Sequence, residues 1–365
     1  MKVIRIYHSG VVSDWRERER ILRANGIDTT LISPLRANEG GRIVTLDGTD
    51  DFVRPVSTIG KHPYRFAYNP IALLRAMRGD RDLIDVHEEP ASIAAAEVLA
   101  ARWLLRATSV PIVFYSAQNI YKRYPPPFRW FERRFLRRAS AAYVCNAEAA
   151  DVLRQKGFTG DIEVIPLGVD QHLFGDQAVR AAAGAQYLVG YVGRLDAHKG
   201  VDVLLDALAL LPDATVEIVG EGPQRSSLEQ RAADLGLSAR VRFVGAAKRA
   251  EIADVYRRLD VIVVPSRTTR SWKEQFGRVA AEAMSVGTPV VASASGSLPE
   301  VVGPGGLLVP PDDPRALAHA LLELQDPVRR AELGDHARRW AKRFTWEAVA
   351  ARQQHLYERV IAAAT

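Results

Sequence analysis

Apolar residues occur in short runs along this chain, and most runs stop at a polar or glycine-containing turn. In the first half they fall at residues 3–7, 27–32, 83–86, 112–115, 142–145 and 162–165. Runs of that length, apolar almost throughout, mark strands buried on both faces. The stretches between them carry helical patterning. A helix capped by Ser13 is expected to end at Asn25-Gly26, followed by helices over 68–77 and the alanine-rich 91–105. A basic helix follows Pro125-Pro126-Pro127, and another starts near Ala147. Residues 34–66 are irregular, with short strands expected at 43–46 and 52–56. Strands spaced by helices predict a parallel sheet with both faces covered.

The second half repeats the pattern. Strands are expected at 187–192, 215–219, 241–244, 261–264, 289–292 and 307–309. Helices are expected at 201–211, up to Gly236, at 251–259, from about Gly277, and twice more before a last one at 346–363. Between the halves, Gly168-Val169-Asp170 and Phe174 lead into featureless residues 178–186, so 168–186 reads as a hinge between two domains. The length of 365 residues fits two domains.

Ligands of open parallel sheets bind beyond the carboxyl ends of the strands. Four polar, turn-rich loops lie there in the second half: 193–200, 220–223, 265–274 and 295–300. Arg194 and Lys199 follow the first strand of this half, and a guanidinium with an ammonium suits a diphosphate. Gly222, within Gly220-Glu221-Gly222-Pro223, serves a tight turn or a close ligand approach. Glu274 stands just ahead of a helix and Glu282 on its second turn. The amides of Phe276 and Gly277 then sit at the positive end of the helix dipole, where phosphate or sugar hydroxyls bind. The plainer reading is a capped core helix with two solvated glutamates.

Composition narrows the chemistry. Cys145 is the single cysteine. It excludes an internal disulfide and a cysteine-rich zinc cluster, and suits a reducing cytosol. Lys2-Val3-Ile4-Arg5-Ile6 reads as a strand rather than a signal peptide, and no apolar run is long enough to span a bilayer. A cytoplasmic location is therefore expected. The fingerprint G-x-G-x-x-G is missing after both leading strands, and so is G-x-x-x-x-G-K-[ST], which counts against a dehydrogenase and an ATPase. No H-E-x-x-H occurs, and His87-Glu88-Glu89 lacks zinc-site spacing.

The second half resembles the retaining glycosyltransferases of family four, enzymes of the GT-B fold that use nucleotide-sugars. The matching elements are Gly193-x-Leu195-x-x-x-Lys199-Gly200, Val219-Gly220-Glu221-Gly222-Pro223, Pro265-Ser266, Glu274-Gln275-Phe276-Gly277 with Glu282-Ala283-Met284, and Gly296-x-x-Pro299-Glu300. The tail Phe344-Thr345-Trp346-Glu347 is similar too. The resemblance is dense over 165–350 and loose before it.

It implies an α/β fold of two Rossmann-like domains facing across a cleft. Residues 1–170, joined by the closing helix 346–365, would bind the acceptor, and 185–345 the nucleotide-sugar. Arg194 and Lys199 would hold the donor diphosphate and steady the leaving group. Glu274 would contact the donor sugar and Glu282 the ribose. Gly10, Gly193, Gly222, Ser266, Gln275, Phe276 and Gly277 complete the implied donor site. A hexose would pass to a glycan, lipid-linked or small-molecule acceptor with retention, without nucleic acid, cofactor or obligatory metal. The same fold hosts nucleotide-sugar isomerases and phosphorylases, and an inactive nucleotide-binding protein is a further alternative.

Two departures stand out. The first loop carries Ser9-Gly10 where relatives often place a glycine pair. Many relatives also carry a histidine after the strand ending at Tyr115; here Gln118 and Asn119 are nearest, and His87 is the other candidate on that edge.

Charge adds one more feature. Residues 121–140 hold seven basic residues against the single acid Glu132, within a chain of net charge +6. Phe128, Phe131, Phe135 and Ala139 share one helical face, expected to be core, which puts Trp130 outside among Arg133, Arg134 and Arg137. Two readings follow. One is a peripheral contact of 128–139 with an anionic membrane, at its inner face, and a lipid-linked acceptor. The other is a solvated helix with Trp130 covered by an arginine.

Overall fold

The computed structural model describes residues 1–39, 41–48, 50–60, 62, 65–175 and 186–364. The chain divides into two units, Met1–Pro166 with Trp346–Thr365, and Leu167–Thr345. Of the expected hinge, residues 176–185 lie outside the described residues.

The strands of the first unit are β1 (Lys2–Ile6), β2 (Asp28–Pro34), β3 (Arg36–Glu39), β4 (Arg42–Thr45), β5 (Val53–Val56), β6 (Thr58–Ile59), β7 (Ala67–Tyr68), β8 (Leu83–Val86), β9 (Ile112–Ser116), β10 (Ala141–Val144) and β11 (Asp161–Val164). Its helices are α1 (Glu17–Ala24), α2 (Pro70–Ala76), α3 (Ile93–Leu104), α4 (Phe128–Leu136) and α5 (Ala147–Gln155). Seven strands form one parallel sheet in the order β11-β10-β9-β8-β1-β2-β5. The expected strand at 43–46 exists as β4, but it pairs antiparallel with β3, off the main sheet.

Period-2 alternation explains the two cores. Ile4, Ile6, Ile84 and Val86 pack with Phe114 and Phe135 on one face. Val3, Leu83, Val113 and Tyr143 pack on the other with Leu356 and Tyr357. Ser13 does not cap α1. It opens a 3-10 turn, Ser13–Arg16, and its hydroxyl accepts from Arg20. The α-helix starts only at Glu17.

The second unit contains α6 (Gln171–Phe174), β12 (Tyr187–Val192), α7 (Val201–Ala209), β13 (Ala214–Val219), α8 (Arg225–Asp234), β14 (Val241–Gly245), α9 (Ile252–Arg258) and β15 (Val261–Val264). After these come α10 (Arg278–Ser285), β16 (Val290–Ser293), α11 (Leu298–Val302), β17 (Gly306–Val309), α12 (Pro314–Glu323) and α13 (Pro327–Ala341). Its six strands form a parallel sheet, β14-β13-β12-β15-β16-β17. Val261 and Val263 face one core, Ile262 and Val264 the other. The last helix, α14 (Trp346–Ala364), belongs to the first unit, where the Tyr357 hydroxyl donates to Asp85 at 2.5 Å and Arg18 donates to Gln353 at 3.0 Å.

Strand order reverses at β1 in the first sheet and at β12 in the second. A crevice therefore opens beyond β1 and β8, and another beyond β12 and β15.

Candidate functional site

In the second unit the loops after β12 and β15 meet through side chains. The Lys199 ammonium donates to Glu274 Oε2 at 2.8 Å, and the Ser266 hydroxyl donates to the same oxygen at 3.1 Å. Lys199 also lies 4.6 Å from the centre of the Trp272 ring, against which His198 packs at 4.1 Å. Lys199 and Glu274 are each partly accessible, so the pair is held in place but reachable from solvent.

Backbone contacts fix the surrounding loops. The Leu195 amide donates to Glu221 O at 3.0 Å, and the Arg267 amide to His198 O at 2.9 Å. The Ser297 amide donates to Glu274 O at 3.1 Å, and the Thr268 and Ser295 hydroxyls are 2.8 Å apart. All four polar loops are thereby tied to one another. The glycines serve this packing. A side chain on Gly222 would collide with Leu195 O, and one on Gly220 with Gly193 O. Gly222 thus makes room for a neighbouring loop.

Gly277 is the N-cap of α10 in the left-handed region, with φ of 76°, where a Cβ would press on Leu298. The first bonds of α10 run from Ala280 and Ala281 to Gly277 O, so the amides of Phe276 and Gly277 precede them. The Phe276 ring is buried against Phe344, while Gln275 beside it is exposed.

Arg194 is held differently from Lys199. It is exposed and donates to Asp196 at 2.9 Å. Arg194 holds the Asp196 carboxyl below the usual range, with further help from His198 and Lys199. Glu282 is not a solvated glutamate. It is buried on α10 and accepts the Tyr256 hydroxyl at 2.8 Å. Burial raises its pKa, against the pull of Arg278 and Tyr256.

The first-unit candidates are spread out. His87 follows β8 and stacks on Tyr115 at 4.0 Å and 7°. Its Nδ1 lies 2.7 Å from an Arg5 nitrogen. A guanidinium can only donate, so Nδ1 accepts and the ring proton sits on Nε2. Burial and the charge of Arg5 then lower the His87 pKa well below its usual value, leaving a neutral ring. Gln118 has both ends occupied: its amide donates to Tyr124 at 2.6 Å, and its oxygen accepts from Lys156 at 2.7 Å. Gly10 is buried in the turn after β1, against Leu31 and Ser33, with its carbonyl bonded to Arg16.

Sequence alone did not show the parts played by three side chains at the site. Arg267 staples two loops, donating to Asp202 at 2.8 and 2.7 Å, to Ala197 O at 2.8 Å, and to Asp312. Its position just after Pro265-Ser266 was the available signal. The pair Trp272-Lys273 was expected to bear on donor choice without a defined role, and Tyr256 gave no signal, because the partners of both rings are distant in sequence.

The family description Glycosyltransferase Family 4 matches residues 9–173, and Glycosyl transferases group 1 matches residues 176–340. A D-inositol 3-phosphate glycosyltransferase of Corynebacterium urealyticum is 33% identical over 294 residues, 72% of this chain and 68% of that one. The chain belongs to glycosyltransferase family 4. A second such relative, from Mycolicibacterium gilvum, is 42% identical over 203 residues, 51% of this glycosyltransferase and 44% of the relative. Matches of that kind span about half the relatives' length. Among solved structures, sucrose-phosphate synthase from Thermosynechococcus elongatus superimposes with TM-score 0.73 at 25% identity over all of both chains. Anabaena HepE in complex with UDP gives 0.74 at 21% identity, over 98% of this chain and 100% of that one. The two parallel sheets with their helices are those of the GT-B fold.

Proposed function

We propose that this glycosyltransferase moves a hexose from a nucleoside-diphosphate sugar to an acceptor hydroxyl, with retention and without an obligatory metal ion. The observation that carries the reading is the Lys199–Glu274 pair, bound across the switch point of the second sheet. Lys199, with Arg194 in the same loop, meets the donor diphosphate. Glu274 and Ser266 accept and donate to sugar hydroxyls, and Glu282 takes the ribose. The leaving diphosphate gains charge in the transition state. A fixed ammonium and helix-terminal amides stabilise that charge with little reorganisation. Trp272 keeps the ammonium partly desolvated, which strengthens its field. The solved HepE complexes, with UDP and with UDP-glucose, support a uridine nucleotide as the first donor to test.

The names of the curated relatives support a phosphorylated polyol as the first acceptor to test. His8, at the end of β1, suits an anionic acceptor. Burial lowers its pKa, but the Glu88 carboxylate at 2.7 Å overcomes this and raises it to about 9, so it is a cation at neutral pH.

The test is a panel of UDP-, GDP- and ADP-sugars, each with inositol phosphate, inositol and simple glycosides. Nucleoside diphosphate release is followed together with the anomeric configuration of the product by NMR. The reading expects release that depends on acceptor and a product of unchanged configuration. Donor isomerised without acceptor, nucleotide bound without turnover, or an inverted product would each overturn it.

A further inference from the structure

An apolar groove of about 390 Å³ lies in the first unit, between α3 and α4. Leu99 and Phe131 line its base. Trp103 and Trp130 stand at its sides, 70% and 60% exposed, and Leu104 beside them is 57% exposed. Arginines continue the surface on the α4 side: Arg133, Arg134, Arg137 and Arg138 are all exposed. None of the four has a carboxylate partner among the described residues. The one acid of the segment, Glu132, points inward and pairs with Lys156 at 2.5 Å.

Sequence alone left two readings for Trp130, a membrane contact and a ring covered by an arginine. Arg134 lies over its ring at 5.8 Å, yet most of the ring stays open to solvent. A solvated helix explains the arginines but not two exposed indoles facing one apolar groove. Exposed apolar surface of this kind marks a contact.

We propose that this face docks on a bilayer containing anionic phospholipid. Charge complementarity chooses the occupant. Four unpaired guanidiniums match a plane of lipid phosphates, where each basic residue is worth roughly a fivefold gain in binding. Trp103 and Trp130 sit at the headgroup level, the depth that indole rings favour. The groove between them receives the apolar part of a lipid. The cation–π contact from Arg134 lets its charge and the ring reach the interface together. No residue lining this face belongs to the loops after β12 and β15, so docking adds a location rather than a catalytic role.

The experiment is co-sedimentation with vesicles of phosphatidylcholine alone, and of phosphatidylcholine with phosphatidylglycerol. Three proteins are compared: the parent, Trp103→Ala/Trp130→Ala, and Arg133→Glu/Arg134→Glu/Arg137→Glu. All the substituted positions are exposed, and unchanged unfolding curves verify the fold. The parent is expected to bind only the anionic vesicles, less so at high salt. The arginine variant is expected to lose about 100-fold or more in binding, and the tryptophan variant roughly tenfold. Equal binding to neutral vesicles, undiminished binding of either variant, or no binding by the parent would overturn the proposal. So would a concentration-dependent dimer that the tryptophan variant abolishes in the absence of vesicle binding, which would assign the groove to a second copy of the chain. No nucleotide-sugar is present, so the result stands apart from the transfer reaction.

Discussion

Both sheets carry an ion pair across the point where strand order reverses, and the two differ in what lies beneath them. In the first unit His8 reaches Glu88 from β1 to β8, and Tyr68 donates to the same carboxylate at 3.2 Å. Beneath lies a sealed layer of charge. Arg5 is fully buried with Glu19 and Asp85, and Asp85 accepts hydroxyls from Tyr143 and Tyr357. In the second unit Lys199 reaches Glu274 from β12 to β15, with an aromatic ring as neighbour and solvent access on both partners. Beneath it β15 is apolar, and the buried carboxylates nearby, Glu217 on β13 and Asp260 before β15, are paired with Arg242, Arg258 and Arg330. Buried charge, once paired, is costly to disturb and holds α14 and the strands in register. Accessible charge can change partners, which a ligand site requires.

The largest expected effect follows from the sealed layer. Arg5→Met takes the shared cation from Asp85 and leaves Glu19 only Arg18 at 3.6 Å, so stability should fall by about 3–5 kcal/mol. Urea unfolding checks this, and a loss below about 1 kcal/mol would mean that the layer is not a unit. A smaller effect belongs to His8. Its folded pKa of about 9 lies above the ordinary 6.5. The pair's contribution is therefore complete below pH 6.5 and is lost as pH rises through 9, an effect of about 3 kcal/mol. Stability of the parent should decline over that window relative to His8→Gln. Parallel curves for the two proteins would contradict the ion pair.

The strands were largely legible, because period-2 and near-continuous apolar runs report burial directly. The convergence of four loops was legible too, since strand-end position follows from the parallel pattern. What stayed hidden depended on partners far apart in sequence. Arg5 sits between Ile4 and Ile6 in β1, and nothing local marks Glu19, Asp85, Tyr143 and Tyr357 as its surroundings. Gln118 looked available because Tyr124 and Lys156 cannot be placed beside it from sequence. The plainer reading of Glu282 as solvated failed for the same reason, its hydroxyl partner Tyr256 lying on another helix. Ser13 misled because a serine before a polar run fits a cap, whereas a 3-10 turn intervenes. The unusual exposure of Trp130 was legible from helical periodicity, but the companion Trp103 on α3 was not.

The central claim is that side-chain cations at the β12–β15 switch point, rather than a metal, carry the leaving diphosphate. The most direct test measures donor turnover by the parent and by Lys199→Ala, with and without EDTA. The account predicts a parent rate unchanged by chelator, and a Lys199→Ala rate lower by roughly 100- to 1000-fold at an unchanged unfolding midpoint. Near-parent turnover in Lys199→Ala, or a complete loss in EDTA that added divalent ion restores, would contradict it.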